Sequence, residues 1–211
     1  MPEDAGWGGE IMSIVLGNCI DYMKNLDDKV FDIAFTSPPY NRKRNDTYKM
    51  FNDNNTDYLY MLNYVTSELL RLVKGNVIIN LQMNMYNKAD ISRWQAQFAD
   101  KLKGIVVWIK NNPVPTFNKR ADGFSVTNGY ENFYVLGDDT TSFKANTPIV
   151  NWIKTNVNEE HYEGHGAIMK YEVADFFIRN FSKEGDFVFD PFMGIGTTAC
   201  ACISNKRRWG G

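Results

Sequence analysis

Two short apolar runs, Phe31 to Phe35 and Phe187 to Phe189, each end in a loop that restricts what the chain can do next. The first passes into Thr36-Ser37-Pro38-Pro39-Tyr40. The second passes into Asp190-Pro191-Phe192-Met193-Gly194-Ile195-Gly196-Thr197-Thr198. Both runs read as buried strands, and open α/β sheets place their ligands in loops at the carboxyl ends of strands. One loop is a stiff polar-aromatic corner. The other is a glycine turn that lets a ligand approach the backbone closely.

The rest of the chain alternates the same two kinds of segment. Ile11 to Leu16 reads as a short strand and Cys19 to Leu26 as a short helix. Leu59, Leu62, Val65, Leu69 and Leu72 repeat at helical spacing, which predicts a helix from Thr56 to Val73 with Thr56 or Asp57 as its cap. Strands are expected over 76–81, 104–110 and 130–136, and helices over 88–102, 168–181 and 197–204. Residues 41–55 and 111–129 read as loops, and 138–164 shows no periodicity. Alternation of this kind predicts a doubly wound, mostly parallel sheet.

At 211 residues and 44% hydrophobic, the chain has the material for one globular domain. A net charge of −2 gives no global attraction to nucleic acid, so any such contact must come from local patches. Cys19, Cys200 and Cys202 form no paired framework, and the spacing of the last two does not suit a zinc knuckle. They read as reduced thiols of a cytoplasmic protein. No apolar run approaches the ~20 residues of a membrane span. His161 and His165 stand four apart, but glycines at 164 and 166 oppose a helix there, so no metal is expected.

The proline corner is at least a stiff turn, because two prolines fix φ and block a helix. Its residues also fit a demanding chemistry. The amino group of a nucleobase is a poor nucleophile because its lone pair is delocalised into the ring. Acceptors for its two N–H bonds favour a pyramidal nitrogen and free that lone pair. The Ser37 hydroxyl and the Pro38 carbonyl could accept, and Pro39 stiffens the turn. Tyr40 offers a flat face to a base taken out of a duplex stack. The glycine turn is not a nucleotide phosphate loop, since no lysine precedes Thr197. Nor has it the three glycines of a dinucleotide fingerprint. Gly194 and Gly196 could admit a ligand to the backbone, with Asp190 accepting from its ammonium or fixing the loop.

In this order, the two motifs resemble the amino-methylating DNA methyltransferases. In many related methyltransferases the Pro-Pro-Tyr element follows the glycine motif, whereas here it precedes it by about 150 residues. That is similar to the permuted subgroup called beta. Leu16-Gly17-Asn18-Cys19 looks like the subgroup's Gly-Asp-Cys element beside the cofactor adenine, with Asn18 in place of Asp. His165-Gly166-Ala167-Ile168-Met169-Lys170 looks like its His-Pro-Ala-x-Phe-Pro run, departing at Gly166, Met169 and Lys170. Trp108-Ile109-Lys110-Asn111-Asn112-Pro113, followed by Asn128-Gly129-Tyr130-Glu131, looks like its lysine-asparagine-proline loop and next strand.

The resemblance implies a Rossmann-like fold of the S-adenosylmethionine-dependent methyltransferase type. It also implies methyl transfer to the exocyclic amino group of a flipped cytosine or adenine. Serine in the corner favours cytosine N4 slightly. The implied catalytic residues are Ser37, Pro38, Pro39 and Tyr40. The implied cofactor residues are Asn18, Cys19, Thr36, His165, Ala167, Asp190, Pro191, Phe192, Gly194, Gly196 and Thr197. Arg42, Lys43 and Arg44 are candidates for DNA phosphate contacts. Residues 11–211 are expected to form the catalytic domain after a 1–10 extension, with 138–164 as a small target-recognition insertion. DNA is the expected partner, and a homodimer is allowed. An RNA methyltransferase or a non-catalytic cofactor-binding scaffold would share the glycine loop.

In the family's sheet, the helix after the glycine motif leads into another central strand that ends in an acid for the cofactor ribose. Lys206-Arg207-Arg208-Trp209 looks like the approach to that strand. The expectation is therefore a missing central strand: either the chain is truncated or incompletely represented, or another segment or subunit fills the gap. Glu10 is a candidate stand-in for the acid.

Overall fold

The computed structural model describes residues 14–42, 57–113, 119–120, 123–124, 126–157 and 168–211. Its strands are β1 (Ile33–Thr36), β2 (Val77–Leu81), β3 (Leu102–Lys110), β4 (Lys119–Arg120), β5 (Gly123–Phe124), β6 (Tyr130–Leu136), β7 (Trp152–Thr155), β8 (Phe187–Phe189) and β9 (Arg208–Gly210). Its helices are α1 (Cys19–Met23), α2 (Tyr58–Leu72), α3 (Lys88–Gln97), α4 (Tyr171–Phe181) and α5 (Thr197–Ser204). A 3₁₀ turn at Ala99–Lys101 links α3 to β3.

Seven strands form one sheet in the order β7-β3-β6-β2-β1-β8-β9, and β4 pairs with β5 alone. Within the large sheet only β6 runs against the others, pairing antiparallel with β2 and β3. The remaining pairs are parallel.

The period-two alternation of a strand explains how both faces are covered. Ala34, Val77, Ile79, Leu81, Tyr134, Leu136 and Phe189 face one side, against Met23 of α1, the Leu62-Val65-Leu69-Leu72 stripe of α2, and Ile91 and Trp94 of α3. Ile33, Phe35, Ile78, Phe133, Val135 and Val188 face the other, against Val173, Phe177 and Ile178 of α4 and Ala201 and Cys202 of α5. The sheet is thus buried between two helical layers, the doubly wound arrangement the sequence predicts. On the α4 side, Phe35 stacks on Phe133 at 5.8 Å and on Phe177 at 5.2 Å. This aromatic layer floors the sheet edge described below.

Several segments differ from expectation. The helix expected over 88–102 stops at Gln97, and β3 begins at Leu102. Residues 14–16 have no regular structure. The aperiodic stretch from 138 contains β7, which pairs parallel with β3 from Val107↔Trp152 to Lys110↔Thr155. Asn146 ties the same stretch to the end of α4, donating from Nδ2 to the Ser182 carbonyl at 2.6 Å. Thr147 donates to Asn180 Oδ1 at 2.6 Å. The described part of 138–164 is therefore packed on the body of the sheet.

The expected gap in the centre of the sheet is not there. β9 lies at the outer edge beside β8, and the Val15 N–H donates to the Gly211 carbonyl at 2.8 Å, continuing the pairing. No strand lies beyond β9 among the described residues. Glu10 lies outside the described residues.

Candidate active site

β1, β2, β3, β7 and β8 all end at one edge of the sheet, and the reversed β6 begins there. The proline corner and the glycine turn leave this edge from adjacent strands, so residues far apart in sequence meet.

Asp190 is the joint between them. It is buried. Its Oδ1 accepts from Thr36 Oγ1 at 2.6 Å and from the Phe192 N–H at 3.0 Å. Its Oδ2 accepts from Thr198 Oγ1 at 2.6 Å. Burial pushes this carboxyl above its ordinary range, and the three donors partly offset that shift. Of the two roles the sequence allowed for Asp190, fixing the loop is the one its hydrogen bonds perform.

The turn that follows needs its glycines. Gly194 has φ +56° and Gly196 φ +87°, in the left-handed region that side chains disfavour. Gly196 is also the residue preceding α5, which begins at Thr197 without a side-chain cap. The Thr198 hydroxyl is committed to Asp190.

Beside this turn, Asn18, Cys19, Tyr22, Phe189, Pro191 and Gly211 line a recess. Asn18 caps α1, accepting from the Ile20 N–H at 2.9 Å. Burial pushes the Cys19 thiol up to about 11, so it is a neutral wall at pH 7. Of the residues expected near the cofactor, Asn18, Cys19 and Pro191 meet in this recess. Thr36 and Asp190 are bonded to each other and do not line it. His165, Ala167 and the phosphate candidates Lys43 and Arg44 lie outside the described residues.

On the other side of Thr36, the corner turns into a polar cluster. Tyr40 Oη lies 3.1 Å from Ser37 Oγ, 2.9 Å from Glu131 Oε2, and in close contact with Asn80 Oδ1. Ser37 Oγ is also 3.1 Å from Asn80 Oδ1. Lys110 Nζ holds Glu131 Oε1 at 2.6 Å, with both side chains about nine-tenths buried. Burial, and then the Glu131 charge, raise the Tyr40 hydroxyl well above its ordinary pKa. The strand register explains the convergence. Asn80 lies two residues beyond Ile78, and Glu131 two before Phe133, so both fall on the α4 face.

The chain just after the corner is clamped. The Tyr40 carbonyl accepts from Asn87 Nδ2 at 2.7 Å and Asn84 Nδ2 at 3.0 Å. Arg42 donates to Gln82 Oε1 at 2.6 Å, and its guanidinium lies 5.2 Å from the centre of the Tyr40 ring. The sequence placed Arg42 in a phosphate-facing run, whereas the fold sets it against Tyr40 and Gln82. Asn80, Glu131, Lys110, Asn84 and Asn87 were not among the predicted site residues. Asn80 carried a signal, as a polar residue in the otherwise apolar run Val77–Leu81. Among the described residues, no group of acids, histidines and cysteines could hold a metal.

The family model described as DNA methylase (N6_N4_Mtase) matches residues 31–211. The Type II methyltransferase M.MwoI of Methanothermobacter wolfeii is 27% identical over 209 residues, which cover 92% of this chain and 30% of that protein. The Type II methyltransferase M2.MboI of Moraxella bovis is 25% identical over 227 residues, covering 93% of this chain and 81% of that protein. The chain thus spans under a third of the first relative and most of the second. Among solved structures, the PvuII DNA methyltransferase (cytosine-N4-specific) aligns with a TM-score of 0.75 at 16% identity, over 94% of this chain and 80% of that one. The M1.HpyAVI–SAM complex aligns at 0.65 and 21% identity, over 94% and 91%. These likenesses show the fold. The proline corner, the Asp190 joint and the glycine turn all fall inside the range matched by the family model, and the chain belongs to the DNA methylase family.

Proposed function

We propose that this protein transfers a methyl group from S-adenosylmethionine to the exocyclic amino group of a DNA base, with cytosine N4 favoured slightly over adenine N6. The observation that carries the reading is the Thr36–Asp190 bond, which sets the glycine turn and the proline corner side by side.

The recess beside the glycine turn suits the cofactor. Tyr22 offers apolar surface to a flat ring, Asn18 offers a polar edge, and Gly194 and Gly196 leave the backbone approachable. S-adenosylmethionine, when bound, supplies a methyl group activated by a sulfonium. The protein's own part is to present the base. Ser37 Oγ and the Pro38 carbonyl accept the two amino N–H bonds, which directs the nitrogen lone pair toward the methyl. Tyr40 stacks on the extruded base through its ring. Its contribution is of the order expected for base–aromatic stacking, roughly 1–3 kcal/mol. Attack by the amino lone pair needs no prior deprotonation, and the nitrogen gives up its extra proton to solvent once the methyl–sulfur bond has broken. The lean toward cytosine rests on Ser37 at the head of the corner.

The test is incubation of the protein with methyl-labelled S-adenosylmethionine and either unmethylated duplex DNA or RNA. Label in DNA and not in RNA supports the reading. Label only in RNA, or cofactor binding with no transfer, favours the two alternatives in turn.

A further inference from the structure

The cluster around Tyr40 has fewer protons than contacts. Four close contacts join Ser37 Oγ, Tyr40 Oη, Asn80 Oδ1 and Glu131 Oε2. Only the two hydroxyl groups have a proton to donate. Asn80 is oriented by its other end, whose Nδ2 donates to the Asn132 carbonyl at 3.3 Å. That leaves Oδ1 facing the hydroxyls as an acceptor. Glu131 is a carboxylate whose Oε1 is held by Lys110, so Oε2 also accepts.

The protons then have one arrangement that serves both acceptors. Tyr40 donates to Glu131, the charged and stronger acceptor. Asn80 Oδ1 is left to Ser37, which donates to it. The Ser37 oxygen consequently turns only lone pairs toward the pocket. Without the Glu131 charge, the Tyr40 proton would turn to Asn80. Both hydroxyls would then compete for Asn80 Oδ1, and the Ser37 proton, no longer held there alone, would be free to turn toward an incoming amino group as a donor.

We propose that Lys110 and Glu131 are positioning residues that keep Ser37 an acceptor toward the target amino group, acting through Tyr40 and Asn80. This rests on the methyl-transfer reading above. Neither residue need touch the base. The raised Tyr40 hydroxyl, with the Glu131 charge among its causes, agrees with a proton held firmly on the tyrosine.

The experiment compares wild type, Glu131→Gln, Lys110→Met and Lys110→Arg. Glu131→Gln keeps the shape but offers an amide donor to Tyr40. With unmethylated duplex DNA of mixed sequence, kcat in Glu131→Gln and Lys110→Met should fall about ten- to a hundredfold. KM for S-adenosylmethionine should stay within about twofold in both, and Lys110→Arg should recover most of the rate. In parallel, protein labelled at the tyrosine ζ carbon is titrated by NMR. The Tyr40 resonance of wild type should resist ionisation through the range of the exposed tyrosines, and in Glu131→Gln it should ionise at lower pH. A wild-type kcat in Glu131→Gln, or a Tyr40 titration unchanged by it, overturns the proposal. If wild type itself moves no methyl to DNA, the functional reading fails, and the Tyr40 titration still decides whether Glu131 controls that proton.

Discussion

Thr36 at the end of β1 donates a 2.6 Å hydrogen bond to Asp190, the residue after β8, across 154 residues of sequence. Both partners are buried, and the bond is what makes one site of two motifs. Thr36→Val keeps the shape and removes the donor. It should cost about 1–3 kcal/mol, the range for leaving a buried acceptor under-satisfied. Urea unfolding should show a lower midpoint at unchanged slope. Calorimetry should show weaker S-adenosylmethionine binding.

Asp190 also gives a pH dependence with a definite sign. Its folded pKa is raised, so the folded state holds the proton more tightly than the unfolded chain does. The resulting cost is absent below the ordinary carboxyl value of about 3.9 and grows as pH rises from there to the raised folded value. Asp190→Asn removes that component. The stability of wild type relative to Asp190→Asn should therefore fall as pH climbs through this window, measured by urea unfolding at a series of pH values. A relative stability that rises with pH would contradict the assignment.

The glycine turn can be tested by strain alone and by strain combined with bulk, since both glycines have positive φ. Gly196→Ala asks a side chain to adopt φ +87° and should cost about 1–2 kcal/mol of stability. Gly194→Val adds bulk where the cofactor is placed, and titration calorimetry should show its affinity lost. Unchanged affinity in the folded variant would place the cofactor elsewhere.

Tyr40 is expected to act on the base and not on the cofactor. Tyr40→Ala should leave S-adenosylmethionine affinity within about twofold. It should cut methyl transfer by roughly five- to 150-fold, the equivalent of the 1–3 kcal/mol of stacking. Near-normal turnover would remove Tyr40 from the base pocket.

Away from the site, Arg71 joins the end of α2 to the loop after α1. It donates to Glu68, Asp28 and the carbonyls of Met23 and Leu26. Arg71→Met should lower stability by about 1–3 kcal/mol, read by thermal unfolding, with kcat unaffected.

The elements that the sequence shows plainly are those whose apolar spacing is local. The α2 stripe and the runs ending at Thr36 and Phe189 need no partner to be recognised. β7 was hidden because it is a four-residue edge strand with alternate residues exposed, and its pairing with β3 decides its conformation. The early end of α3 was hidden in the same way, since Leu102 pairs with Leu136 in the sheet.

The site divides along the same line. Ser37, Tyr40, Gly194 and Gly196 stand in motifs whose composition is unusual over a few residues. The Lys110–Glu131 pair and Asn80 act only because β6 inserts between β2 and β3, a non-local fact. Arg42 shows the converse, a residue whose local signal is plain and whose contacts are non-local. Its charge suggested phosphate, while Gln82 and the Tyr40 ring claim it in the folded chain.

The central claim is tested most directly by nucleoside mass spectrometry of unmethylated duplex DNA after reaction with S-adenosylmethionine and this protein. The account predicts a new N4-methylcytosine or N6-methyladenine peak that is strongly reduced with Tyr40→Ala at equal reaction time, with cytosine the favoured base. A methyl group found on cytosine C5, or no methylated nucleoside from a folded protein that binds S-adenosylmethionine, would contradict it.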